Sequence, residues 1–260
     1  MFAIQRFIAT FASLVPAKPL HNAQIGGAFY FITLMTAFTK GYSSPFDLVQ
    51  LLKSRGLVIN DEQRAEAYIQ NIGYYRLSAY MLPFLTMPKT NHIFKPGVTF
   101  DNVLDLYRFD KKLRVLLFNE IEKIEIAFRE AVANVTARMS GDIFWMTDSR
   151  HFHLQPQALE SWVTTLALTR NACCHHARVW NKVNLIIPAD AKQMSRAWLT
   201  IPVAKDRIYF NICMIKFFLD IISPSNDFKN KLHTLFSKFP QIDLKAMGFP
   251  TGWDTEPLWK

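Results

Sequence analysis

Cysteine is scarce in this chain of 260 residues: Cys173, Cys174 and Cys213 cannot make a disulfide framework, so a reducing compartment, the cytosol, is expected. Nine glycines and thirteen prolines are too few for collagen-like sequence, and so little glycine leans towards helix. A disordered chain is excluded as well, because 50% of the residues are hydrophobic and only 20% are charged. Acidic residues are in deficit, 21 against 30 basic, for a net charge of +9. Such a surplus suits a polyanion such as nucleic acid or a phospholipid surface. A long apolar run is missing too. Residues 25–38 are nearly all apolar but fall short of the roughly 18–20 residues of a spanning helix, and they begin at Gly26 and Gly27. Membrane anchoring is therefore disfavoured. Arg6 precedes a short apolar patch with no clean small-residue cleavage site after it, which argues against a signal peptide.

Residues 1–41 read as a poorly patterned apolar extension, with Met35 as an alternative start, and residues 42–260 as one helical domain. The periodic sequence begins with Ser44-Pro45-Phe46-Asp47, a cap, a first-turn proline and an acid, followed by Leu48, Leu51 and Leu52 and a stop at Gly56. A second helix is predicted from Asn60-Asp61-Glu62 to Gly73, with Ala65, Tyr68, Ile69 and Ile72 on one face, and a short third element runs from Tyr74 until Pro83 ends it. After a loop over 92–97, with room for a short extended piece, Thr99 caps the longest pattern, residues 100–138. It is one long helix or two with a kink near Asp110, stopped at Ser140-Gly141. Further helices are predicted over 157–168, 169–181, 204–223 and 228–239, with no repeat and no alternating strand pattern. The fold class is all-α.

The densest polar cluster runs from Arg170 to Asn181. On a helix, Asn171, His175 and Arg178 share a face, and Arg170 lies about 140° from His175, within reach of its long side chain. Between residues 170 and 198, Arg170, Arg178, Lys182, Lys192 and Arg196 face one acid, Asp190. A histidine beside permanent cations is suited to a phosphodiester. Cys173-Cys174-His175-His176 invites a zinc reading, yet four consecutive helical residues diverge and no second Cys/His pair has ligand spacing. A cysteine nucleophile beside His175 is disfavoured for the same geometry. The plain alternative is a helix whose His and Arg pair with acids or backbone. Glu122, Glu125 and Arg129 read as a solvated or ion-paired face, the other reading being a bundle-facing contact to the motif helix.

Arg170-Asn171 followed by His175 has the Arg-x4-His spacing of the HEPN ribonuclease superfamily, which it resembles. The wider sequence resembles the Abi family of bacterial phage-defence proteins, of the AbiD/AbiF-like kind. The resemblance runs through residues 51–57, 72–80, 106–114 and 121–126, and closes with Met247-Gly248-Phe249-Pro250 and Trp253. It implies a HEPN-type helical bundle with additional N-terminal helices, and a metal-independent RNA endonuclease without cofactor. The ribose 2′-hydroxyl then attacks the adjacent phosphate. Carried onto this chain, His175 is the general acid or base, Arg170 holds the scissile phosphate, and Asn171 orients the phosphate or the imidazole. His176, Arg178 and Lys182 are second-rank RNA contacts. One histidine per chain implies a homodimer with two Arg170–His175 pairs facing each other.

The stretch between Trp145 and Arg170 is shorter than in such relatives. This keeps a second reading open: a non-catalytic or decayed member binding RNA or a protein partner through its basic surface. A regulatory RNA or protein inhibitor is a further expected partner of the nuclease.

Overall fold

In a computed structural model of the chain, the described residues are 41–138, 154–192, 194 and 196–260, the side chains of 132–138 and Pro156 excepted. The expectations for residues 1–40 and for Ser140-Gly141 and Phe144-Trp145 lie outside them. Among the described residues the fold is all-α: seven helices, short 3₁₀ turns and two isolated β-bridges, with no sheet. None of these helices is long and apolar enough to cross a membrane. The chain divides into two compact units between Leu104 and Asp105, taken here in turn.

The first unit opens with the chemistry read in Ser44-Pro45-Phe46-Asp47. The Ser44 hydroxyl accepts from the Asp47 N–H at 3.1 Å, and the Asp47 carboxylate accepts from the Ser44 N–H at 2.9 Å. This reciprocal capping box starts α1, Pro45–Ser54. Its buried residues are Val49 and Leu52, while Leu51 is 37% exposed, so the inward stripe lies to one side of the one predicted. Gly56 ends the turn at φ +89°. Asp61 caps α2, Glu62–Ile72, which buries Ala65 and Ile69 and stops at Gly73. There φ is +92°, a left-handed value that only glycine adopts freely. α3, Tyr74–Met81, follows at once, and Pro83 sits in the 3₁₀ turn that succeeds it. The extended piece expected in the next loop amounts to single bridges, Leu85 with Phe94 and Val58 with Thr99. Thr99 and Asn102 then cap each other's backbone N–H at 2.9 and 3.2 Å, starting α4, Phe100–Arg138.

α4 is one continuous helix. In the second unit its apolar stripe, Leu106, Phe109, Leu113, Leu117, Ile121 and Ile124, is buried. α5 is Pro156–Cys174. A break at Leu168–Thr169 was predicted, but nothing there breaks a helix, and the Thr165 and Thr169 hydroxyls fold back onto carbonyls one turn earlier, each at 2.8 Å. α6, Ile208–Ile222, begins four residues later than predicted: residues 204–207 form a turn, where Arg207 N–H donates to Ala204 C=O at 3.3 Å. It is buried on nearly all sides, as befits a helix apolar all round. Around Trp162 of α5 gather Trp198, Phe210, Phe217 and Phe218, with ring centroids 4.9 to 6.1 Å away. α7, Phe228–Lys238, ties to α4 through Glu120, which is 1% exposed and accepts from Lys231 at 2.8 Å. The chain ends in an aromatic cluster of Phe249, Trp253 and Trp259. Gly248 precedes it at φ +90°, where a Cβ would stand 2.6 Å from that of Arg207, so both backbone and space require glycine.

The buried polar centre of this unit is Asp110, fully enclosed on α4. One carboxylate oxygen accepts from the backbone N–H groups of Val179, at 3.1 Å, and Trp180, at 2.7 Å. The other pairs with Arg114, one turn on and 4% exposed, whose guanidinium also reaches Ala177 C=O at 3.5 Å. Replacing Asp110 by alanine takes the carboxylate away from a buried guanidinium and the acceptor away from two N–H donors, and costs about 3–5 kcal/mol in urea unfolding. Asp110→Leu/Arg114→Met recovers only part of that loss, because Val179 and Trp180 stay unpaired.

Candidate functional site

The sequence motif sits on the last turn of α5 and the residues just past it. α5 ends at Cys174 with His175 as its C-cap and His176 left-handed at φ 56°. His176 N–H donates to Cys173 C=O at 3.1 Å and Ala177 N–H to Ala172 C=O at 2.8 Å, the two bonds of a Schellman closure. Histidine stands where glycine is usual. What holds the chain there is downstream: with Val179 and Trp180 bound by Asp110, the backbone leaves the helix axis. The helix predicted over 169–181 therefore stops seven residues early, and Arg178 does not share a helical face with Asn171 and His175.

Arg170 and Asn171 are brought together. The Arg170 Nη1 donates to Asn171 Oδ1 at 2.8 Å, and its Nε donates to Glu125 Oε1 at 3.0 Å. Arg170 and Glu125 side chains are each 14% exposed. Glu125 thus makes the bundle-facing contact to the motif helix, and exposed Arg129 lies 3.9 Å from its other oxygen. Glu122 stays on the exposed face. The guanidinium is therefore held at two of its nitrogens, by a carboxylate at Nε and an amide at Nη1, which fixes its plane. Its Nη2 has no partner among the described residues.

His175 is exposed, and its N–H donates to Asn171 C=O at 2.9 Å, one helical turn below. No side-chain hydrogen bond joins its imidazole to Arg170 or Asn171 among the described residues. His176 and Lys182 are exposed, and Arg178 is half-buried. Beyond Lys182 the chain carries Val183, Leu185, Ile186 and Ile187, each at least half exposed and Leu185 at 96%.

The cysteines divide by burial. Burial, with the Asp110 charge beside it, pushes the Cys173 thiol up to about 12. Burial also pushes Cys213 well above its ordinary value. Both stay protonated at neutral pH, so neither is a ready nucleophile. Among the described residues no three His, Cys, Asp or Glu side chains gather as metal ligands would.

Glu125, Asp110 and Arg114 belong to the site's support but not to its predicted residue set. Asp110 had a signal: it is an acid at helical spacing within the apolar stripe Leu106, Leu113 and Leu117. Asn211 had one as well, as an amide inside the apolar run of α6.

Fold and site together describe an all-α protein whose polar motif sits at a helix end pinned by a buried carboxylate. Residues 67–158, about a third of the chain, match the family model described as Abi-like protein. The match supports the Abi family for that stretch. It takes in the blocks at 72–80, 106–114 and 121–126 and ends before Arg170. No curated protein and no solved structure matches the chain.

The burial pattern predicts thiol reactivity. Ellman's reagent at pH 8 titrates Cys174, the exposed thiol, rapidly in the native protein, and Cys173 and Cys213 only after denaturation. Fast native reaction of all three contradicts the burial described.

Proposed function

We propose that the chain is an RNA endonuclease of bacterial phage defence, of the abortive-infection kind, acting in the cytoplasm. The observation that carries this reading is the arrangement of Arg170: a guanidinium fixed by Glu125 and Asn171, with no partner for Nη2 among the described residues, on the helix whose cap is the exposed His175. The match to the Abi-like family supports the defence role, and the net charge of +9 supports a polyanionic substrate.

In the reaction, the 2′-oxygen forms a bond to phosphorus as the bond to the 5′-oxygen breaks. A 2′,3′-cyclic phosphate and a 5′-hydroxyl result. The proton leaves the 2′-hydroxyl for a base and returns from an acid to the 5′-oxygen, and His175 performs one of these transfers. Arg170 stabilises the charge that develops on the non-bridging oxygens. Asn171, bonded to Arg170, keeps the guanidinium aligned. His176, Arg178 and Lys182 contact the strand. A homodimer supplies the second histidine, and the exposed apolar run Val183 to Ile187 is the kind of surface a protein partner covers. A regulatory RNA or protein inhibitor restrains the activity before infection.

One observation favours a second reading, binding without cleavage: Arg170 is already neutralised by Glu125, and His175 makes no bond to it. Labelled RNA incubated with excess EDTA separates the two. The parent protein cleaves and leaves 2′,3′-cyclic ends; His175→Ala loses at least about a hundredfold in rate while keeping RNA affinity. Retained cleavage in Arg170→Ala/His175→Ala, or no cleavage by folded parent protein that still binds RNA, overturns the nuclease reading.

A further inference from the structure

The chain between α5 and α6 holds four aliphatic side chains in solvent: Leu185 is 96% exposed, and Val183, Ile186 and Ile187 are about half exposed. The fold pins this segment at both ends. Asn184 N–H donates to Asp206 C=O at 2.8 Å. Further on, Ala189 N–H donates to the Ser161 hydroxyl at 2.9 Å, and Trp162 Nε1 donates to Ala189 C=O, also at 2.9 Å. Leu185, Ile186 and Ile187 therefore stand between two anchored points. They belong to a continuous patch: Leu185 and Ile186 border one cavity with Lys182 and with Leu168 of α5, itself 43% exposed.

An exposed apolar patch marks a contact with protein or with membrane. Composition and charge here favour the membrane. The run is aliphatic throughout, with no Trp, Tyr or Phe between Val183 and Ile187. Anchors of protein interfaces are mostly Trp, Tyr and Arg, with Leu and Val under-represented. The surroundings are basic: residues 178–207 hold six Lys and Arg against two acids. Both acids are already answered, Asp190 by Lys205 at 2.8 Å and Asp206 by Arg207 at 3.9 Å. Lys182 and Lys192 are exposed and make no ion pair among the described residues. An anionic bilayer complements both features, because its acyl chains take the aliphatic groups and its phosphates take the cations. RNA answers the cations alone.

We propose that residues 183–187 form a membrane-contact loop that places Leu185, Ile186 and Ile187 in an anionic lipid surface. Insertion is shallow, about 5–10 Å, at the boundary of headgroups and acyl chains. Irregular backbone goes no deeper, since its N–H and C=O groups need water or headgroups there. The proposal goes beyond the nuclease reading and does not depend on it.

The test sediments the full chain with vesicles, either of phosphatidylcholine alone or of phosphatidylcholine mixed with phosphatidylserine, and without vesicles as control. The parent protein binds the mixed vesicles, and binds them less as salt screens the charges. Leu185→Ser/Ile186→Ser binds at least about tenfold more weakly, because two large aliphatic side chains no longer leave water. Should that variant fail to fold by circular dichroism, Leu185→Ser alone, at the most exposed position, carries the test with a loss of about fivefold or more. No binding of the parent to mixed vesicles overturns the loop. Equal binding by parent and variant also overturns it, and assigns the attraction to net charge or to another segment. A parent that ignores vesicles but self-associates in sedimentation velocity, with the variant monomeric, gives the patch to a second copy of the chain and overturns the lipid contact. RNA enters none of these arms, so failure of the nuclease reading leaves the result standing.

Discussion

A carboxylate buried on a long helix must find its hydrogen bonds inside the protein, and Asp110 finds them in the backbone just beyond the motif helix. Its partners are Val179, Trp180 and Arg114. An isolated buried charge is expensive, and two N–H donors with a guanidinium answer this one. The consequence reaches well beyond one ion pair. With Val179 and Trp180 bound to α4, α5 closes at Cys174 and His176 turns left-handed. The position of His175 at a helix end is set from α4.

The two sides of α5 carry opposite kinds of chemistry. One side holds charge answered by charge, in Arg170 with Glu125, each largely shielded from water, where such a pair keeps its geometry better than at the surface. The other is uncharged and packs on α6, where the Asn211 amide donates to the Thr169 hydroxyl. Threonine hydroxyls along the helix link the two ends of this arrangement: Thr169 bonds back to the carbonyl of Thr165 and accepts from Asn211 of α6. The buried polar chain fixes how α5 and α6 face each other, which apolar contacts alone specify less sharply.

Much of the fold was legible in local chemistry. The Ser44 capping box, the Asp61 cap, the Gly56 and Gly73 stops and the start of α4 at Thr99 all fall where the residues indicate, because caps and left-handed glycines act within one turn. The motif residues Arg170, Asn171 and His175 were legible as a spacing. Their surroundings were less so. Glu125 is 45 residues from Arg170 and Asp110 is 69 from Val179, and no local pattern pairs residues at such distances. The helix over 169–181 was misread for the same reason: its sequence lacks a breaker, and the stop comes from Asp110.

The sequence by itself determined the helical class, the caps that start α1, α2 and α4, the glycine stops at Gly56 and Gly73, the basic charge and the polar cluster at the end of α5, since each follows from composition or from neighbours within a few residues. The tertiary structure alone decided where α5 ends, which acid holds Arg170, and that Asn211 of α6 meets Thr169 of α5. Those outcomes depend on long-range packing: a buried polar group takes whichever partner the fold brings to it.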